Sequence, residues 1–104
     1  MATIDAEDLF PNERTLTAVS SGKMTQIHRG RQYAEEGDVF ELDGETFEIV
    51  DVTERTLGEM TDEDAQREGS PDLDAYRERM VRAHGGNFEW NEDAEVVRHR
   101  IEQQ

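Results

Sequence analysis

The strongest constraint on this chain is a hairpin written into its middle. Asp38-Val-Phe-Glu-Leu and Glu45-Thr-Phe-Glu-Ile-Val-Asp-Val-Thr flank the dipeptide Asp43-Gly44. Asp-Gly in a two-residue loop accepts the positive φ angles of a type I′ turn, whose twist matches that of paired antiparallel strands. Phe40 and Leu42 alternate with acids on the first arm, as Phe47 and Ile49 do on the second. One face of the hairpin therefore meets a core and the other meets water.

Other elements are legible on either side of it. Asn12, after Pro11, caps a short helix whose apolar positions are Leu16 and Val19, with Gly22 placed to end it. The segment from Met24 to Arg29 fits an extended strand. Beyond the hairpin, Thr61 with Asp64 starts a short helical stretch through Arg67 that closes near Gly69. Ser70-Pro71 then reads as the cap and first turn of a second helix with the stripe Leu73, Tyr76 and Met80, ended by Gly85-Gly86. The run Glu95-Val-Val-Arg-His-Arg-Ile returns to strand, with Val97, His99 and Ile101 on one face and Val96, Arg98 and Arg100 on the other. The fold class is α+β, in one domain spanning residues 1–104, since two halves of such a chain would each be too short for a core.

Several classes fall away on composition. No stretch approaches the ~20 apolar residues of a membrane span, and the acidic start Met-Ala-Thr-Ile-Asp-Ala-Glu-Asp has no apolar signal region. A cytoplasmic monomer with no membrane partner is expected. Without cysteine there is no disulfide and no thiolate metal site. His28, His84 and His99 lack the i, i+4 spacing of a helical metal pair, so neither a metal nor another cofactor is expected.

The charge is more informative. Twenty-six acids face eleven basic residues, a net charge of −15. Molar salt shortens the screening length to ~3 Å and removes most of that self-repulsion. Only Lys23 among the basic residues is lysine, and the acids are spread along the whole chain. This pattern resembles haloarchaeal-type proteins of salt-accumulating cells, so a salt-adapted fold is expected. Against that background, Arg14 to Ala34 contains no acid at all and holds Lys23, His28, Arg29 and Arg31. A surface that avoids acids while gathering cations suits phosphate or another anion. Arg98, His99 and Arg100 form a second, shorter basic cluster. Tyr33, Phe88 and Trp90 are aromatics that could stack on bases or pack at the rim.

Taken in order, these residues carry a family resemblance. A short helix ending in Gly22-Lys23, then Thr25 and Ile27 with His28-Arg29, then Gly37-Asp38 opening a strand, resembles the ASCH family of the PUA-like superfamily. So do Leu57, Ala65-Gln-Arg-Glu68-Gly69, the helix bearing Tyr76 and the closing strand. The resemblance implies a small PUA-like β-barrel with flanking short helices and a cleft between them. It also implies an association with RNA, and in some members ribonuclease activity or amidohydrolysis of acetylated cytidine. On the amidohydrolase pattern, Lys23 and Glu68 match the catalytic Lys and Glu. Gln26 stands where that branch has Thr, and Thr25, one residue earlier, points to the opposite strand face.

Three readings follow. The first is an RNA- or nucleoside-binding module gripping its ligand through Lys23, His28, Arg29, Arg31, Arg98 and Arg100. The second is a small hydrolase in which desolvated Lys23 works with Glu68, and with Gln26 or Thr25, on a modified nucleoside or RNA. The third is a regulatory protein-binding domain.

Overall fold

The computed structural model describes residues 2–10, 12–83, 85–86 and 89–104; the expectations for Pro11, His84, Asn87 and Phe88 fall outside the described residues. Two short helices lead, α1 (Ala6–Leu9) and α2 (Glu13–Ser20). The Asn12 side chain accepts from Thr15 N at 3.0 Å, which satisfies a free N–H at the start of α2. Strands β1 (Gln26–Arg29), β2 (Val39–Leu42) and β3 (Glu45–Thr56) follow. Asp43 and Gly44 both have positive φ, 52° and 79°, as the hairpin requires. A 3₁₀ turn (Leu57–Glu59), α3 (Asp62–Arg67), α4 (Leu73–Ala83) and β4 (Glu95–Gln103) complete the chain.

The four strands form one antiparallel sheet in the order β1-β4-β3-β2. It is a half-barrel whose two edges, β1 and β2, do not pair with each other. Thr61 and Asp64 make a reciprocal capping box that starts α3. One expectation is corrected here: α4 begins at Leu73, and its cap is Asp72, whose Oδ1 accepts from Ala75 N at 2.8 Å. Ser70 and Pro71 lie before it. Ser70 N instead bonds Ala65 O and helps close α3. Among the described residues no helix is long and apolar enough to cross a membrane.

The sheet is covered on both faces. One face presents Ile27, Ile49, Ile101, Phe40 and Phe47 to α1 and α2, building a core with Leu9, Phe10 and Val19. Phe40 and Phe47 stack with centroids 5.2 Å apart. The opposite face lies under α3 and α4. It has a smaller apolar cluster of Leu57, Met60, Ala65 and Tyr76, and beside this a set of buried polar side chains.

A register shift between Ile49 and Asp51 divides the two faces along β3. Strict alternation from Phe47 would put Asp51, Thr53 and Arg55 in the apolar core. The extra residue, Val50, is exposed at the bulge, and beyond it Val52 takes the core side while Asp51, Thr53 and Arg55 turn to the polar face.

Candidate functional site

The polar face is organised by Glu68 at the C-terminal end of α3. Its carboxylate is 1 % exposed, yet it is surrounded by donors. Gln26 Nε2 donates to it at 3.2 Å, the His28 backbone N–H at 3.1 Å and the Tyr76 hydroxyl at 3.3 Å, and His28 Nδ1 lies 2.6 Å away. Because β1 is an edge strand, the bond from His28 N also satisfies a strand group that has no ladder partner. Burial, with the Glu68 charge adding to it, pushes the Tyr76 phenol well above its ordinary value.

Gln26 extends the network. It donates to Asp64 Oδ1 at 3.0 Å and accepts from Arg100 Nε at 3.1 Å. Asp64 also receives Arg55 Nη1 at 3.1 Å. Burial works to raise the Asp64 carboxyl, but hydrogen bonds from Gln26 and Thr61 and the Arg55 guanidinium outweigh it and hold the group at about 2.

Beside this network, along the free edge of β1, a cleft of about 920 Å³ opens between α2, β1 and α4. Lys23, His28, Arg29 and Glu68 all line it, so four of the residues singled out in the sequence converge there. Arg14 from α2 and Arg79 and Arg82 from α4 line it too. Burial lowers Arg79, Tyr76 opposes this, and the Arg14 charge lowers it further, while Arg79 Nη2 donates to Glu68 O at 3.1 Å. Lys23 is exposed and makes no ion pair among the described residues.

The remaining predicted residues lie elsewhere or are committed. Thr25 is exposed while Gln26 is fully buried, on opposite faces of β1. Arg31 lies outside the cleft, its guanidinium 4.8 Å from the centre of the Tyr33 ring, with Arg29 over the same ring at 4.2 Å. Those two cations lower the Tyr33 phenol, the bond from Arg31 first and the Arg29 charge second. Arg98 pairs with Asp51 at 2.9 Å and Arg100 is held by Gln26. Trp90 packs edge-on against Tyr76, with centroids 6.3 Å apart. His99 is fully buried on the apolar face, its Nε2 accepting from Tyr33 N at 3.1 Å, and burial keeps it below its ordinary value. Among the described residues no cluster of His, Asp or Glu is arranged to hold a metal.

Arg14, Arg79 and Arg82 were not singled out in the sequence. A signal was present, because Tyr76, Arg79 and Met80 recur at helical spacing on one side of α4. What the sequence did not supply was the neighbour that this side faces.

Solved structures share this fold. An ASCH domain from Lactobacillus crispatus JV V101 matches with a TM-score of 0.63 at 18% identity, over 98% of this chain and 78% of that one. The chain has an ASCH-domain fold. Protein EF3133 from Enterococcus faecalis V583, assigned to DUF984, matches with a TM-score of 0.62 at 20% identity, over 97% and 74% of the two chains. The hypothetical protein PH0355 matches with a TM-score of 0.57 at 16% identity, over 99% and 98%. No family model and no curated protein matches the chain.

Proposed function

We propose that this ASCH-fold chain binds RNA or a nucleoside in the cleft between α2, α4 and the free edge of β1. One observation carries the reading. In a chain of net charge −15, the cleft wall gathers Arg14, Lys23, Arg29, Arg79 and Arg82 against a single acid, Glu68, which is already surrounded by donors. Cations repelling one another across a cleft favour a ligand that brings negative charge. The cleft's size suits a nucleotide unit, and its floor offers the partly apolar surface of Met24, Ile27 and Met80.

The acidic remainder and the expected salt-rich setting shape the mode of binding. Phosphate contacts weaken steeply as salt rises, whereas stacking and base-edge hydrogen bonds weaken less. A binder working in molar salt therefore relies on the base as well as the phosphate.

A second reading, a hydrolase using Lys23 and Glu68, is favoured by their sharing one cleft. Two features weigh against it. Gln26 holds the position where the amidohydrolase pattern has Thr, so no hydroxyl is offered at that position, and its amide is engaged by Asp64 and Glu68. Glu68 itself is closed in by four donors.

The test is binding of short single-stranded RNA and of nucleosides at matched molar salt. Arg29 is a poor probe, because its Nη1 donates to Leu9 O at 2.6 Å and reversal there would damage the junction with α1. Arg14 and Arg82 are exposed at the cleft. Arg14→Glu with Arg82→Glu should weaken RNA binding by at least about tenfold with an unchanged circular-dichroism spectrum. Wild-type affinity in the double variant would remove the cleft from consideration.

A further inference from the structure

His28 is anchored at one nitrogen and unanswered at the other. Its side chain is 1 % exposed, and Nδ1 lies 2.6 Å from Glu68 Oε2. The other groups on that carboxylate, from Gln26, Tyr76 and the His28 backbone, are all donors. The carboxylate therefore accepts throughout, and the proton shared with His28 sits on Nδ1. Nε2 is buried and has no hydrogen-bond partner among the described residues, although His28 is part of the cleft wall. Such an atom is a standing cost to the fold. At the wall of a ligand cleft, that cost is relieved by a polar group which the ligand brings.

The surroundings of the ring decide which group fits. Arg29 lies next to His28 on β1, Arg98 opposite it in register on β4, and His99 beside Arg98. From α3 come Glu68 and, through Gln26, Asp64; from α4 come Tyr76 and Arg79. Lys23 lines the same cleft. Of these only Glu68 bonds the ring, and it is committed to Nδ1. On the neutral ring whose proton sits on Nδ1, Nε2 carries a lone pair.

We infer that His28 is the residue that reads the ligand, its Nε2 accepting a hydrogen bond from the amino group of a nucleobase. Glu68 is then a positioning residue that fixes the ring and its tautomer. This rests on the proposed binding of a nucleoside in the same cleft, and it adds a rule of selection. A base carrying a carbonyl at that place would set two acceptors face to face.

Cytidine and uridine, like adenosine and inosine, differ by amino against oxo at one ring position. The four nucleosides, each also presented as a short homopolymer RNA, are titrated against the full chain in molar salt by calorimetry. Imidazole nitrogen spectra are recorded in parallel. One amino member should bind at least about tenfold tighter than its oxo partner, and His28→Phe should reduce that preference to within about twofold. In wild type, the free Nε2 should be unprotonated, and its resonance should move at saturation while that of Nδ1 holds. Equal affinities within both pairs, or a protonated Nε2 in the free protein, would overturn the inference and leave the cleft reading standing. Absence of binding by every nucleoside and every RNA would overturn both. If His28→Phe does not fold, the wild-type spectrum decides alone, and an Nε2 unmoved at saturation refutes the assignment.

Discussion

The two faces of this sheet are made from the same four strands and are held in different ways. On one, Phe10, Phe40, Phe47 and Ile49 exclude water by shape, and almost any apolar residue of similar volume would serve. On the other, Gln26, His28, Asp64, Glu68 and Arg100 hold one another through directed bonds, and each depends on its neighbours. The first face is tolerant and the second is specified. The cleft opens between them at the β1 edge, with Ile27 of the first face and His28 of the second in its wall.

Val50 carries β3 from one phase of alternation to the other, so the contrast is broken most severely by a charge where the new phase meets the core. Val52 packs against the apolar cluster beyond the bulge, and Val52→Asp would set a carboxylate there. A buried polar group without a partner costs about 1–3 kcal/mol, and a charged one more, against a total stability of about 5–15 kcal/mol. Val52→Asp should therefore lose at least about 3 kcal/mol in a denaturant melt in molar salt. Deleting Val50 keeps Ile49 and Val52 on the core side and Asp51 on the polar face, so that variant should stay folded, and Val50→Ala should stay within about 0.5 kcal/mol of wild type. Loss of the fold in the deletion variant would show that the bulge does more than shift the phase of the strand.

The next effect separates the faces by kind. Phe40→Ala should cost about 3–5 kcal/mol through the cavity it leaves beside Phe10 and Phe47. Glu68→Ala should cost a similar amount, about 3 kcal/mol, by stranding the donors gathered around the carboxylate. The contrast lies in repair. A volume-conserving Phe40→Leu should recover much of the loss, whereas Glu68→Leu should recover little because its partners remain unpaired. Equal recovery at both sites would erase the distinction drawn here.

How far the sequence reached follows the same division. The hairpin, the α2 cap, the α3 capping box and the apolar side of β4 were legible because each rests on local spacing. The start of α4 was misplaced because Ser70-Pro71 imitates a cap, while Asp72 is the residue whose carboxylate reaches Ala75 N. The bulge left no mark in Ile49-Val50-Asp51-Val52, which fits either register until β4 is placed beside it. The acid-free stretch pointed to the cleft. Arg98 and Arg100, equally basic, are bound to Asp51 and Gln26 instead, and charge alone did not separate the two groups. Sidedness between elements distant in sequence is a tertiary property.

A milder probe is pH, to which each face answers in its own window. His99, buried on the apolar face, is lowered from 6.5 when folded, mainly by burial. The unfolded chain takes up that proton more readily. The stability it contributes is therefore complete above about pH 6.5 and is lost as the pH falls below that. Asp64, on the polar face, is held at about 2 against 3.8, so its contribution is complete above about pH 4 and lost as the pH falls toward 2. Relative to wild type, His99→Phe should flatten the upper part of the acid limb and Asp64→Asn the lower part. If either substitution flattens the other's window, the titrations have been assigned to the wrong faces.

The smallest expected effect is at Lys23, where the binding and hydrolytic readings part. Lys23 is exposed and unpaired among the described residues, so Lys23→Arg preserves its charge and should shift stability by no more than about 0.5 kcal/mol. Arginine does not give up its proton in a protein, so the substitution removes only the capacity to act as a base or proton shuttle. A cleft that binds through charge and base contacts should hold single-stranded RNA within about twofold of wild type after the change. A cleft that hydrolyses acetylated cytidine would instead lose turnover at unchanged affinity. With Gln26 offering no hydroxyl and Glu68 enclosed by His28, Tyr76 and Gln26, wild type should release no acetate in molar salt. Acetate release by wild type that disappears in Lys23→Arg would overturn the binding reading and make the buried carboxylate part of a catalytic site.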